Sequence, residues 1–174
     1  MAPDKKDVLQ LVIHKDNFTP IQEIDKSFSY KWLYKLDQEG DLIQILDSIN
    51  LMLKDWKEAP TFDDIISRFD AGSFVMLQYY KNEPIGWFWG NTRLTYNWID
   101  IIKDLPSANS MYGGGSYITK NKNIPKNTGI QLYTKFFHDI FDFYKSAYGY
   151  VDSWNKAPIR LNKRSGAIEI NNLL

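Results

Sequence analysis

Val151-Asp152-Ser153-Trp154-Asn155-Lys156-Ala157-Pro158-Ile159-Arg160-Leu161-Asn162-Lys163-Arg164-Ser165-Gly166-Ala167 is the stretch whose reading decides the fold. It closes a run, Tyr148 to Trp154, that is aromatic and β-rich and reads as a strand. Asn155 ends that run, Lys156 to Ser165 reads as a short helix, Gly166 as its C-terminal cap, and Ala167 to Asn171 as a last strand. Immediately upstream is the strongest helical pattern in the chain, where Ile130, Tyr133, Phe137, Ile140, Phe141 and Tyr144 trace one face. Asn127 or Thr128 can cap that helix, and Gly129 lets another backbone or a ligand come close. Ser116 to Thr119 reads as the strand before it. A strand, a long helix and a strand between Ser116 and Trp154 imply a parallel pair joined by a crossover helix.

Further towards the N-terminus, Ser73 to Tyr80 and Ile85 to Gly90 read as a hairpin about the turn-forming Lys81-Asn82-Glu83-Pro84. Trp87 and Trp89 then share one face of the second strand. Between them and the glycine run Gly113-Gly114-Gly115, the residues from Asn91 on, with Tyr96 and Trp98, read as a long and partly helical connection. Thr61-Phe62-Asp63-Asp64 can cap a short helix with Phe62, Ile65, Ile66 and Phe69 inward. Leu42, Ile45, Leu46, Ile49, Leu53 and Trp56 fall at amphipathic-helix spacing. Thr19-Pro20-Ile21-Gln22 resembles a capping box and predicts a helical region from there to Gly40, and Val8 to His14 reads as the first strand. The expected fold class is α/β, one domain over 1–174, with a mixed and mostly antiparallel sheet flanked by helices.

The chemistry-bearing stretch is Lys126-Asn127-Thr128-Gly129-Ile130-Gln131, between a strand and the long helix, with Lys120 and Lys122 just before it. Free N–H groups and the positive dipole end at such a helix start hold an anion without any catalytic side chain. An ordinary capped helix after a solvated lysine loop fits the same residues.

The stretch from Val151 to Ala167 resembles the closing motif of the GNAT superfamily of acetyl-CoA-dependent N-acyltransferases: a strand, an Asn, a short helix and a Gly that opens the next strand, with Asn155 and Gly166 at the family's separation. Lys126 to Gln131 resembles the same superfamily's pyrophosphate loop, usually written as Gln or Arg, two residues, Gly, one residue, then Gly or Ala. Lys126 and Gln131 take its first and last positions here. The resemblance covers about Phe74 to Asn171. It implies that acetyl-CoA lies in a splayed gap between Ser116–Thr119 and Tyr148–Trp154, its pyrophosphate on the loop from Lys126 through Asn127, Thr128, Gly129 and Ile130 to Gln131. It further implies that a backbone N–H near Ile118 or Thr119 polarises the thioester carbonyl and that Asn155 bonds the pantetheine arm. The amine attacks directly, so no protein nucleophile is needed. The family's closing helix often carries a tyrosine four residues before its terminal glycine; Asn162 stands there, and an amide cannot serve as the usual general acid. The candidate catalytic positions are therefore Asn162 and Tyr117, with Tyr117, Asp152 or a water chain as the relay that deprotonates the amine. A packed strand aromatic is the commoner role for a residue such as Tyr117. Trp87 and Trp89 are candidates for the wall of an acceptor pocket or for core.

Composition sets the limits. Apolar residues make up 44% of the chain, which excludes a disordered composition. There are no cysteines, which excludes disulfides, thiolate zinc and a cysteine nucleophile and points to a reducing cytoplasm. His14 and His138 stand far apart without partners at ligand spacing, so no metal site is expected. No apolar run approaches the ~20 residues that span a bilayer, and no membrane partner is expected. The net charge is zero, but residues 105–174 hold 9 Lys/Arg against 4 Asp/Glu. That basic third suits a compact polyanion better than nucleic acid, which favours a longer basic stripe. The expected activity is acetyl transfer to an amine of a small molecule or peptide. A catalytically silent acyl-CoA-binding module, or a protein that docks an acidic partner, are the rivals. The acceptor and the oligomeric state, a homodimer among the options, are left open.

Overall fold

A computed structural model describes residues 8–34, 61–96, 101–103, 105–119 and 123–171. Its main sheet contains β1 (Val8–His14), β2 (Phe28–Leu33), β3 (Ser73–Tyr80), β4 (Glu83–Asn91), β7 (Ser110–Ile118), β8 (Ser146–Asp152) and β9 (Ile168–Ile170). β5 (Leu94–Tyr96) and β6 (Ile101–Lys103) form a separate two-stranded ribbon. The described helices are α1 (Phe62–Asp70), α2 (Thr128–Ile140) and α3 (Lys156–Arg164). Strand order in the main sheet is β2-β3-β4-β7-β8-β1-β9, antiparallel throughout except at β7 and β8. The sheet is thus mixed and mostly antiparallel, as expected.

Local chemistry accounts for most elements. Lys81 and Asn82 both have positive φ, 51° and 65°, and make the two-residue turn that pairs Tyr80 with Glu83. Thr61 and Asp64 form a reciprocal capping box at the start of α1. Gly166, at φ 95°, follows α3 where a Cβ would collide with the Asn17 carbonyl oxygen. Only glycine meets both demands.

Packing follows the strand alternation. On one face Phe74, Met76, Phe88 and Met111 meet Leu132, Phe136 and Phe137 of α2, and Phe88 stacks on Phe136 with centroids 4.0 Å apart. On the other face Val75, Leu77, Trp87 and Trp89 meet Ile65 and Phe69 of α1.

Two expectations are overturned. Residues 18–27 are not helical, and Phe28 to Leu33 is an edge strand paired with β3. Phe28, Tyr30 and Trp32 alternate with Ser29 and Lys31, a period of two that the pairing to β3 selects over the capping-box signal. The connection after Asn91 carries the β5–β6 ribbon, and β7 begins at Ser110, so the three glycines lie inside a strand. The helix read from Leu42 to Trp56 and the residue Trp98 lie outside the described residues. No helix among the described residues is long and apolar enough to cross a membrane.

Candidate functional site

β7 and β8 pair in parallel only at Ser110↔Ser146, Met111↔Ala147 and Tyr112↔Tyr148. Beyond Tyr112 they part. The cause lies on the β4 side of β7, where Gly90 pairs Gly113 and Phe88 pairs Ser116, so Gly114 and Gly115 face Trp89 in a bulge. Gly115 takes φ 103° there, as such bulges demand. A bulge bends its strand, and this one carries β7 away from β8.

The ladder phase fixes which backbone groups face the resulting gap. Thr119 N–H donates to the Ile85 carbonyl at 2.8 Å, which makes odd-numbered residues of this part of β7 the ones bonded to β4. Ser116 and Ile118 therefore turn their N–H and C=O groups to the opposite edge. Likewise Lys15 N–H donates to the Lys145 carbonyl, so Tyr148, Tyr150 and Asp152 present theirs on the edge of β8 away from β1. The gap is a cavity of about 260 Å³, whose walls include Gly113, Ser116, Tyr150, Asp152, Asn155 and Asn162. A Cβ at Gly149 would meet nothing within 4 Å.

A second, more open cavity of about 590 Å³ adjoins it and shares Phe88, Ser116, Tyr133, Pro158 and Leu161. The start of α2 forms one wall. Buried Gln78 donates to the Thr128 carbonyl at 3.2 Å, and the Thr128 hydroxyl donates to the Pro125 carbonyl at 2.6 Å, so the turn before the helix is tied to the sheet. Gln131 N–H makes the first helical bond, to Asn127. Gly129 and Ile130 come earlier in that turn, before the first intrahelical bond, and both line the cavity. Lys126 enters from the same loop, while Arg160 and Arg164, one turn apart on α3, enter from the facing wall. Helix dipole, free N–H groups and cations thus converge on one concave surface.

The residues singled out from the sequence divide as follows. Tyr117, Ile118, Lys126, Gly129 and Ile130 line the second cavity and Asn155 and Asn162 the first. Asn127 is the N-cap of α2 and makes no side-chain cap bond. Thr128 is buried and engaged with Pro125, and Gln131 clamps the chain at residues 23–25 by accepting from Asp25 N–H at 2.8 Å and donating to the Glu23 carbonyl at 2.9 Å. Thr119 is corrected as a thioester-polarising N–H, because its donor is spent on Ile85. Trp87 and Trp89 are corrected as pocket walls: 7% and 2% exposed, they belong to the core on the α1 face, and neither lines either cavity. Tyr117 stacks on Trp87 at 4.7 Å. His14 sits 2.8 Å from the Ser146 hydroxyl, and among the described residues no His, Cys, Asp or Glu cluster could hold a metal.

Sequence reasoning missed the bulge, Arg160, Arg164 and Tyr133. The glycine run signalled the first, the i, i+4 arginines in a basic stretch the second. Tyr133 was visible only as one more core aromatic.

No family model and no curated protein matches the chain. Solved structures do. A GCN5-related N-acetyltransferase from Sphaerobacter thermophilus superposes with TM-score 0.61 at 13% identity, covering 94% of this chain and 48% of its own. A tandem GNAT protein from the clavulanic acid biosynthesis pathway gives 0.59 at 9% identity, covering 93% and 50%. An aminoglycoside acetyltransferase from an uncultured soil metagenomic sample, in complex with trehalose, gives 0.57 at 12% identity, covering 82% and 90%. The chain spans about half the length of the first two.

Proposed function

From the GNAT fold as premise, we propose that this chain binds acetyl-CoA in the gap between β7 and β8 and transfers the acetyl group to an amine of a small molecule or peptide. The observation that carries this reading is the bulge-driven parting of the two parallel strands beside the start of α2. The donor set suits the ligand. Gly129 and Ile130 N–H groups with Lys126, Arg160 and Arg164 would hold the phosphates, and Asn155 with the facing edges of β7 and β8 would pair the amide-bearing arm. A Cβ at Gly129 would meet only Ile118, at 3.8 Å, so the cradle is open there. Acetyl-CoA, when bound, supplies an activated acyl carbon.

The chain's residues then have defined tasks. The N–H groups of Ser116 and Ile118, turned away from β4, would serve as donors to the developing oxyanion, and preorganised donors of this kind stabilise it. Among the described residues lining the two cavities Asp152 is the one carboxylate, placed to take the proton of the attacking amine. A cytoplasmic location is part of the same proposal, since a chain without cysteines suits a reducing compartment that supplies acetyl-CoA.

The test is a thermal melt with coenzyme A, followed by thiol release from acetyl-CoA with a panel of amines that includes aminoglycosides. At 100 times the dissociation constant the fold gains about 2.7 kcal/mol, a plain rise in melting temperature. No rise at millimolar ligand refutes the reading; a rise without turnover on any amine leaves a binding module.

A further inference from the structure

Tyr133 sits at the junction of the two cavities and lines both. Its ring packs against Phe137 at 4.6 Å and Phe88 at 6.2 Å, and the residue is 4% exposed, so the hydroxyl is its one polar handle. That hydroxyl donates to Asn162 Oδ1 at 2.9 Å. The Asn162 amide is oriented in turn, because its Nδ2 donates to the Pro158 carbonyl at 2.8 Å. Asn162 is thus a positioning residue that holds a phenol from α2 over the cleft. A ligand running from the cations of the second cavity to the bulge in the first must pass it.

We propose that the Tyr133 hydroxyl is the hydrogen-bond donor to the leaving sulfur, the role that Asn162 itself cannot fill. This rests on the acetyl-CoA reading above. As the amine nitrogen bonds to the acyl carbon, the carbon–sulfur bond breaks and its electron pair goes to sulfur as a thiolate. While the sulfur is neutral the hydroxyl stays on Asn162. Once sulfur carries charge, a charge-assisted bond is roughly twice as strong as one to a neutral amide, and the hydrogen turns to it. The interaction is made only as charge develops, which is where it accelerates the reaction. Burial pushes the Tyr133 phenol above its ordinary range, so the donor keeps its proton at neutral pH. The amine's surplus proton leaves through Asp152, and the thiolate takes its own proton afterwards from the solvent.

The experiment uses coenzyme A as probe on the full chain and reads the pKa of its bound thiol by thiolate ultraviolet absorption. Tyr133→Phe is expected to raise that pKa by about one, a tenfold loss of thiolate stabilisation, while thermal protection by coenzyme A is retained. Turnover falls about tenfold or more at unchanged KM, uniformly across neutral pH. Tyr133→3-fluorotyrosine, a stronger donor of the same shape, is expected to lower the thiol pKa below wild type and serves if the Phe variant does not fold. An unchanged thiol pKa in these variants, with coenzyme A still protecting them, overturns the proposal and leaves Tyr133 as a tie between α2 and α3. If coenzyme A protects not even the wild type, the acetyl-CoA reading itself falls, and this inference with it.

Discussion

At Gly129 the fold and the proposed ligand make opposite demands on a side chain. A Cβ there would meet Ile118 at the ordinary contact distance of 3.8 Å, and the first helical turn accepts valine at a cost well under about 1 kcal/mol. The same methyl groups would stand where a phosphate must approach the Gly129 and Ile130 N–H groups. Gly129→Val is therefore expected to weaken coenzyme A binding by about tenfold or more, roughly 1.4 kcal/mol or above, while the ligand-free melting temperature barely moves. Calorimetric titration beside a melt separates the two effects, and equal affinity would place the phosphates elsewhere.

Among the elements, β2 is an edge strand, laddered to β3, that is also tied to α2 through one carboxylate. Trp32 Nε1 donates to Asp139 of α2 at 3.0 Å, and Lys135 donates to the same carboxylate at 2.6 Å from one turn back. Burial pushes the Asp139 carboxyl up, but the bonds from Lys135, Trp32 and His138 outweigh it and hold the group below its ordinary value. A carboxylate with a depressed pKa stabilises the fold above the unfolded-state value, near 4, and ceases to do so as pH falls through the folded-state value. Asp139→Asn is expected to cost about 1–2 kcal/mol at pH 7, from the weakened bonds to Trp32 and Lys135. The gap between variant and wild type should close as pH falls below about 4. Urea unfolding at the two pH values checks it; a pH-independent gap would mean that Asp139 acts through packing alone.

For the molecule as a whole the uneven charge has a place to act. The surplus of cations in residues 105–174 includes Lys126, Arg160 and Arg164, all exposed on the walls of one cavity although they come from separate elements. Exposed pairs of this kind are each worth about 0.2–1 kcal/mol and are screened by salt. Replacing both Arg160 and Arg164 by Ala should therefore weaken coenzyme A binding by up to about thirtyfold and flatten its dependence on ionic strength, with little change in stability. A variant as salt-sensitive as the wild type would move the anion site away from α3.

What the sequence determined by itself was local. The turn at Lys81-Asn82, the capping box at Thr61, the apolar face of α2 and the glycine after α3 are each specified within a few residues, by φ preference, side-chain reach or helical period. The resemblance at Val151–Ala167 worked for the same reason, since a strand, a short helix and a glycine cap are contiguous. Other features were decided only by partners far along the chain. Phe28 to Leu33 became a strand because β3, more than forty residues on, offered it a ladder that outweighed the capping signal at Thr19. Trp87 and Trp89 went into core rather than a pocket because α1 covers their face. Gly114 and Gly115 became a bulge because the pairing of β7 with β4 shifts register opposite Trp89, and that bulge opened the gap. Arg160, Arg164 and Lys126, and likewise Tyr133 and Asn162, met because α2 and α3 border the same cleft. Spacing within a window carries propensity and period. It carries no register between distant strands, and register is what sets which face, edge and cavity each side chain occupies.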